Sequence, residues 1–150
     1  MQPALLTRIA APLLALALTN CAQNPVTGNP NLVLVSESQE IAIGQREDTD
    51  VRKQYGAYDD ARLQQYVNEI GQRLAKTSHR PELEYHFLVV DSPDVNAFAL
   101  PGGYIYITRG ILAYLNSEAE LAAVLGHELG HVTARHSVQQ ISAATAANIG

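Results

Sequence analysis

The chain has 150 residues, which is enough for one domain with a buried core and too few for two ordinary domains. Apolar residues make up 47% of the chain and charged residues 17%, a composition typical of a folded protein rather than a disordered one. The net charge of −5 comes from scattered acidic residues, and no basic stripe is present, so no nucleic-acid partner is expected.

The first twenty residues resemble the signal peptide of a bacterial lipoprotein. An almost unbroken apolar run over residues 9–18 is too short for an ordinary membrane-spanning helix and has the length of a signal-peptide core. It leads into LTNC, residues 18–21, which resembles the lipobox that is cut before a lipid-carrying cysteine. The sequence therefore predicts a signal peptide over residues 1–20 and lipidation at Cys21, the one cysteine of the chain.

Lipid at this position predicts where the mature protein resides. Acyl chains would hold it on a membrane surface without spanning the membrane. By analogy with lipoprotein sorting in Gram-negative bacteria, Ala22 after the cysteine favours the periplasmic side of the outer membrane. The alternative is a plain secretory signal with an incidental cysteine, which would give a soluble periplasmic protein.

An arm and two helices are predicted next. Residues 22–30 are dense in Pro, Gly and Asn. A tether or irregular arm is therefore predicted over residues 21–35, with a short strand or simple packing over residues 32–35. Ser36 and Gln39 form a capping box that opens a helix through about residue 54. The second helix covers about residues 59–77, where apolar residues at three- and four-residue spacing predict one buried face: Leu63, Tyr66, Val67, Ile70 and Leu74.

Three strands are predicted after these helices. Residues 84–92 are rich in aromatic and β-branched residues. Residues 97–100 and 104–108 form two further strands, joined by a Pro-Gly-Gly turn. Two tyrosines alternate with two isoleucines in the last strand, which predicts that one of its faces is partly exposed.

The helix that follows carries the residues of greatest chemical interest. Ser117 and Glu120 form a second capping box, and the helix that they open contains GHELGH, residues 126–131. Residues four apart lie on the same helix face, so His127 and His131 can direct imidazole nitrogens at one metal ion. Glu128 lies one step round the helix and can reach a water bound to that metal. This spacing is typical of zinc peptidase helices.

The position of Glu128 on the helix supports the same interpretation. On a helical wheel Glu128 falls inside the apolar arc, between Val124 and Leu121. A buried carboxylate is costly unless it finds a partner or becomes neutral, and a catalytic helix beneath a cleft would explain this placement. The alternative is that both histidines are core or capping residues and that Glu128 pairs with an arginine such as Arg135.

Two segments resemble a known family. NAFALPGGYIYITRGIL (residues 96–112) and SEAELAAVLGHELGHVTARHS (residues 117–137) resemble the bacterial zinc metallopeptidases related to the heat-shock protease HtpX and the CAAX prenyl proteases. The likeness is above all to their periplasmic lipoprotein and β-barrel-assembly-enhancing branch. It implies an α+β, zincin-like fold with N-terminal helices, a small antiparallel-edged sheet and an active-site helix. Residues 36–150 would be the N-terminal part of that peptidase domain, with its C-terminal part absent.

The resemblance also implies roles for individual residues. His127 and His131 match the ligands of one zinc ion per domain, and Glu128 matches the catalytic base. The edge strand that pairs with substrate backbone in such enzymes matches Asn96, Ala97, Phe98 and Ala99, although an ordinary packed hairpin is the alternative. The implied activity is endopeptidase cleavage of misfolded or unassembled envelope proteins, with outer-membrane proteins among the candidate substrates.

A third zinc ligand is not identifiable in the sequence. Catalytic zinc has three protein ligands and one open position, and the family's third ligand is a glutamate on a later helix, whereas residues 129–150 contain no acid. His136 lies five residues beyond His131, and an intact helix would point it away from that face. We therefore expect part of a longer enzyme or a truncated relative, with little peptidase activity by itself. The competing hypothesis is a non-catalytic envelope lipoprotein that binds peptides or partner proteins and keeps a vestigial metal site.

Overall fold

The structure is a computed structural model that describes residues 21–148. Its helices and strands confirm the predicted α+β class, while the predicted signal peptide lies outside the described residues. Within residues 21–148, no helix has the length and apolarity needed to cross a bilayer. The elements are β1 (Cys21–Gln23), β2 (Pro30–Leu32), α1 (Glu37–Tyr55), α2 (Ala61–Lys76), β3 (His86–Val90), β4 (Ala97–Leu100), β5 (Tyr104–Thr108), α3 (Arg109–Leu112), α4 (Glu118–Thr133) and α5 (His136–Ala147).

The arm before α1 is more ordered than its composition predicts. β1 and β2 pair antiparallel, with Cys21 opposite Leu32. The turn between them is organised by Asn24, whose side-chain oxygen accepts hydrogen bonds from the backbone of Val26 and Thr27 at 2.8 and 3.1 Å. Its amide nitrogen donates to the carbonyl oxygen of Ala134, 110 residues later. The prediction of an irregular arm is wrong, because the turn residues close a hairpin that is bonded to the end of α4.

The first two helices begin and end close to their predicted bounds. Ser36 caps α1, and its capping box with Gln39 is complete. On α2 the buried face includes Val67 and Ile70, but Tyr66 is 41% exposed, so the prediction is wrong for that residue. Its hydroxyl instead donates to Glu118 at the start of α4, at 3.0 Å.

A three-stranded sheet lies at the centre of the fold, in the order β3-β5-β4. β3 runs parallel to β5, and β4 runs antiparallel to it, which confirms the predicted antiparallel edge. All of β5 is buried, so the prediction of a partly exposed face is wrong. The physical reason is that α1 covers the tyrosine face, where the Tyr106 hydroxyl donates to Asp48 at 2.7 Å.

The sheet separates two groups of packed side chains. On one face Tyr104 and Tyr106 pack with side chains of α1. The other face carries the larger core, built from β3, β5, α2 and α4, whose buried residues include Val67, Ile70, Phe87, Val89, Ile105, Ile107, Leu121, Leu125, Leu129 and Val132. The GHELGH helix is therefore held against the sheet by its apolar arc.

The turn between β4 and β5 fits closely beneath α1. Gly102 and Gly103 have φ values of 76° and 100°, in the left-handed region that favours glycine. A Cβ atom on Gly103 would also collide with the carbonyl oxygen of Glu84, and one on Gly44 of α1 would collide with that of Pro101. These contacts fix the turn at the end of β4 between α1 and the loop before β3.

Candidate metal centre and active-site cleft

The helix α4 presents its two motif histidines as a close pair. Ser117 caps the helix by accepting from the amide of Glu120, while the Glu120 carboxylate accepts from Asn116 rather than from Ser117, so the second capping box is incomplete. The Nε2 atoms of His127 and His131 lie 3.1 Å apart, and their rings are nearly perpendicular at 88°.

This pair has the geometry that one metal ion requires. Two nitrogen ligands at about 2.0–2.1 Å from a tetrahedral zinc lie about 3.3 Å from each other, close to the observed 3.1 Å between the two Nε2 atoms. Imidazole is also a ligand that zinc prefers. Among residues 21–148 no cluster of three or more His, Cys, Asp or Glu side chains is suited to a metal, so a third protein ligand is not found there.

Glu128 lies half-buried beside the histidine pair, as its position in the apolar arc predicts. Desolvation raises the pKa of its carboxyl group, and the nearby His131 and His127 oppose that shift. The alternative partner is excluded, because the Arg135 Nε donates instead to Glu40 at 2.9 Å. Glu128 is thus a carboxyl group held partly out of water next to two potential metal ligands.

An open cleft of about 420 Å³ adjoins this carboxyl group. Glu128 and His127 form one wall of the cleft, and Asn96 and Ala97 at the start of β4 form another. The remaining lining is apolar and comes from Val95, Ile111, Ala123 and Val124. The cleft has the size of a site for a side chain or a short peptide segment.

The four predicted substrate-binding residues do not all face this cleft. Ala97 lines it, and Ala99 packs on the same side of the sheet, near His131. The Phe98 side chain points to the opposite face and stacks on Tyr106 at 4.9 Å between ring centroids. β4 pairs with β5 along one side only, and no other described strand pairs with it, so its outer main chain is a sheet edge.

A break in the helix brings His136 into the site, which the sequence did not predict. α4 ends at Thr133, Arg135 adopts a left-handed conformation (φ 57°, ψ 37°), and His136 begins α5. The His136 Nδ1 lies 2.7 Å from the Nδ1 of His131. The premise that an intact helix would carry His136 away is therefore wrong. No Gly or Pro marks the break, so no local signal could have shown it.

A buried ionic cluster holds this break in place, and it too was missed. Glu40 of α1 is 1% exposed and accepts from Arg80 at 2.9 Å and from Arg135 at 2.9 Å. Arg135 also donates to the carbonyl oxygen of Val35 at 3.0 Å. The three charges come from distant parts of the chain, which is why neither charge patterning nor spacing indicated them.

The fold and the histidine pair are those of a metallopeptidase domain, and comparison with known proteins identifies the family. The model of peptidase family M48 matches residues 61–149, more than half of the chain, and the chain belongs to this family. The family resemblance inferred from the sequence is thereby confirmed.

Individual relatives extend this likeness. The chain is 35% identical over 112 residues to the β-barrel assembly-enhancing protease of Yersinia pestis, covering 75% of the chain and 23% of the relative. It is 37% identical over 110 residues to the mitochondrial metalloendopeptidase OMA1 of Arabidopsis thaliana, covering 72% and 23%. A putative β-barrel assembly-enhancing protease of Vibrio cholerae is 32% identical over 129 residues, covering 85% and 27%. The chain spans about a quarter of the length of these relatives.

Proposed function

We propose that this chain supplies the first part of the catalytic domain of a zinc-dependent metalloendopeptidase that cleaves misfolded or unassembled envelope proteins. The observation that carries the proposal is one arrangement. The Nε2 atoms of His127 and His131 lie 3.1 Å apart on α4. The half-buried carboxyl group of Glu128 opens onto the cleft beside the edge strand β4. Membership of peptidase family M48 supports the class, and relatives named for β-barrel assembly support the envelope as its location.

Each residue of the arrangement has a chemical task. His127 and His131 would hold the zinc ion, which when bound acidifies a water molecule to a pKa of about 7 and polarises a carbonyl group. The Glu128 carboxylate accepts the proton of the attacking water and later passes it to the nitrogen of the leaving amine. Its raised pKa favours this task, because a carboxylate that is partly desolvated accepts a proton more readily near neutral pH.

The edge strand β4 would hold the substrate. An extended peptide can add to a sheet edge through main-chain hydrogen bonds, which demand little of its sequence. Asn96 and Ala97 would place such a peptide along the cleft that Glu128 lines. A segment without stable structure meets this requirement along its whole length, whereas most strands of a folded protein are already paired. The geometry therefore suits unfolded or unassembled polypeptides.

The direct test compares Glu128→Gln with Glu118→Gln in the full-length protein loaded with zinc. Glu118 lies on the same helix but is exposed, so its variant is the matched control. With an unfolded, fluorescently labelled polypeptide as substrate, Glu128→Gln should lose about 10²–10⁴-fold in cleavage rate, while zinc content stays that of the wild type. Equal cleavage by Glu128→Gln and wild type would refute the catalytic role.

The same experiment decides the non-catalytic hypothesis. Its supporting observation is that no third metal ligand is found among residues 21–148. If the zinc-loaded wild type binds the unfolded polypeptide and never cleaves it, the chain belongs to a peptide-binding lipoprotein. Cleavage that depends on Glu128 excludes that hypothesis.

We further propose that lipid on Cys21 anchors the mature protein to the periplasmic side of the outer membrane. The proposal rests on the lipobox-like residues 18–21. Replacing Cys21 by serine removes the thiol that would carry the lipid. In cells fed a labelled fatty acid, the wild type should carry label and sediment with outer membranes. Cys21→Ser should carry none. A wild-type protein found unlabelled in the soluble periplasmic fraction would contradict lipidation.

A further inference from the structure

His131 has a neighbour at each of its two ring nitrogens. Its Nε2 lies 3.1 Å from the Nε2 of His127, and its Nδ1 lies 2.7 Å from the Nδ1 of His136. The two nitrogens of an imidazole point in diverging directions. A group on the Nδ1 side therefore lies away from a metal held on the Nε2 side. His136 thus contacts the His131 ring on the side opposite the metal position, so it is not placed to bind the same ion.

The contact between the two Nδ1 atoms fits the tautomer of His131 that a metal ligand needs. A neutral histidine that offers its Nε2 lone pair to a metal carries its proton on Nδ1 and donates it to a fixed acceptor. The 2.7 Å separation requires one proton between the two Nδ1 atoms. If His131 donates that proton, then His136 accepts it and carries its own proton on Nε2. The His131 lone pair is then directed toward His127.

The backbone conformation of Arg135 places His136 beside His131. Within residues 21–148, Arg135 is the one residue other than glycine with a positive φ. A left-handed conformation is unfavourable for a residue with a side chain. The buried Glu40, which accepts from the Arg135 side chain, offsets that cost. Because α5 begins directly after this turn, the backbone conformation of Arg135 sets where His136 leaves the chain.

We propose that His136 is a positioning residue for His131: it accepts the His131 Nδ1 proton and so holds the His131 Nε2 lone pair toward the metal position. The proposal rests on the proposed function insofar as His131 is a metal ligand. It adds that the side chain one turn beyond the GHELGH motif sets the orientation and tautomer of that ligand. In its place metal sites commonly use a carboxylate or a backbone carbonyl oxygen.

Three variants of the full-length protein test the proposal. His136→Phe keeps a ring of similar size and removes the acceptor. His136→Asn keeps an acceptor, because its amide oxygen can occupy nearly the position of the imidazole Nδ1. His79→Phe is the matched control, since it replaces an exposed histidine away from the pair. His136 is itself exposed, so these substitutions should leave the fold intact.

The first readout is the tautomer of His131, measured in the metal-free protein by nitrogen-detected imidazole NMR. Wild type, His136→Asn and His79→Phe should show the proton on His131 Nδ1, and His136→Phe should lose that preference. If His136→Phe keeps the same tautomer, or if His136→Asn loses it as well, the proposal is wrong. This readout needs neither zinc nor cleavage, so it is independent of the proposed peptidase activity.

The second readout is zinc affinity, measured by competition with a chelator. Loss of such a supporting partner typically weakens metal binding by 10–100-fold. We expect that loss for His136→Phe and a change of no more than a few-fold for His136→Asn and His79→Phe. Unchanged affinity in His136→Phe would overturn the positioning role while leaving the peptidase proposal intact. A wild-type protein that binds no zinc would overturn the proposed function, and the positioning role with it.

Discussion

The buried carboxylate of Glu40 should be essential for stability, and Glu40→Gln tests this. Glu40 is 1% exposed and accepts hydrogen bonds from two arginines that are themselves largely buried, Arg80 and Arg135. Glutamine preserves the size of the side chain and removes its charge. Both guanidinium groups would then face each other without the anion that separates them, and one would meet an amide NH₂ group in place of an oxygen.

The magnitude follows from the burial of the three groups. Removing one partner of a buried ion pair costs about 3–5 kcal/mol, because the remaining charge stays out of water. Arg80 keeps a second partner, Glu37, at 2.9 Å, but the Glu37 side chain is 66% exposed. We therefore expect the lower end of that range, about 3 kcal/mol. For a protein of this size that corresponds to a fall in Tm of about 6–12 °C.

The assay is urea unfolding followed by circular dichroism at neutral pH, with Glu37→Gln as the matched control. Glu37 contacts the same arginine from an exposed position, so its variant should lose less than about 1 kcal/mol. A loss below about 1 kcal/mol for Glu40→Gln would refute the reasoning. That result would mean that the two arginines find other partners or water once the charge is removed.

Three further substitutions test the packing and electrostatics of the fold. Tyr106→Phe removes the 2.7 Å hydrogen bond to Asp48 and should lower the free energy of unfolding by about 1.5–3 kcal/mol; an unchanged urea midpoint would contradict this. Gly103→Ala places a Cβ atom against the carbonyl oxygen of Glu84, at a residue whose φ is 100°. It should lower the free energy of unfolding by at least about 1–3 kcal/mol, and a soluble variant with the wild-type Tm would contradict this. Glu128→Gln should stabilise the metal-free protein at pH 7. Burial raises the pKa of the Glu128 carboxyl above its ordinary value of 4.5, so the folded state binds more protons than the unfolded state and stability falls as pH rises from 4.5 through the raised value. The stabilisation by Glu128→Gln should therefore grow over that interval in urea titrations, and a constant difference from pH 4 to pH 7 would contradict it.

The sequence predicted the elements whose signals are local. Ser36 with Gln39 marks the start of α1 because a capping box satisfies amides within one turn of helix. The spacing of His127 and His131 places both rings on one helix face without any help from the rest of the fold. The strands β4 and β5 were predicted from their composition and from the turn that joins them.

Errors arose where a distant segment decides the environment of a residue. The alternation in β5 indicates two faces but cannot show that α1 covers the tyrosine face and that Asp48 accepts from the Tyr106 hydroxyl. The composition of the arm indicates turns, but Asn24 is held by the carbonyl oxygen of Ala134, 110 residues away.

The sequence by itself thus determined the helix that carries the histidine pair, the Glu128 that accompanies it and the strands beside it. These depend on capping, periodicity and residue spacing, which act within a few residues. Only the tertiary structure decided that this helix stops before His136. The left-handed turn at Arg135 is unfavourable on its own and forms because Glu40, 95 residues earlier, is buried against it. Local preference could not reveal that turn, since the free energy that maintains it comes from a charge on another helix.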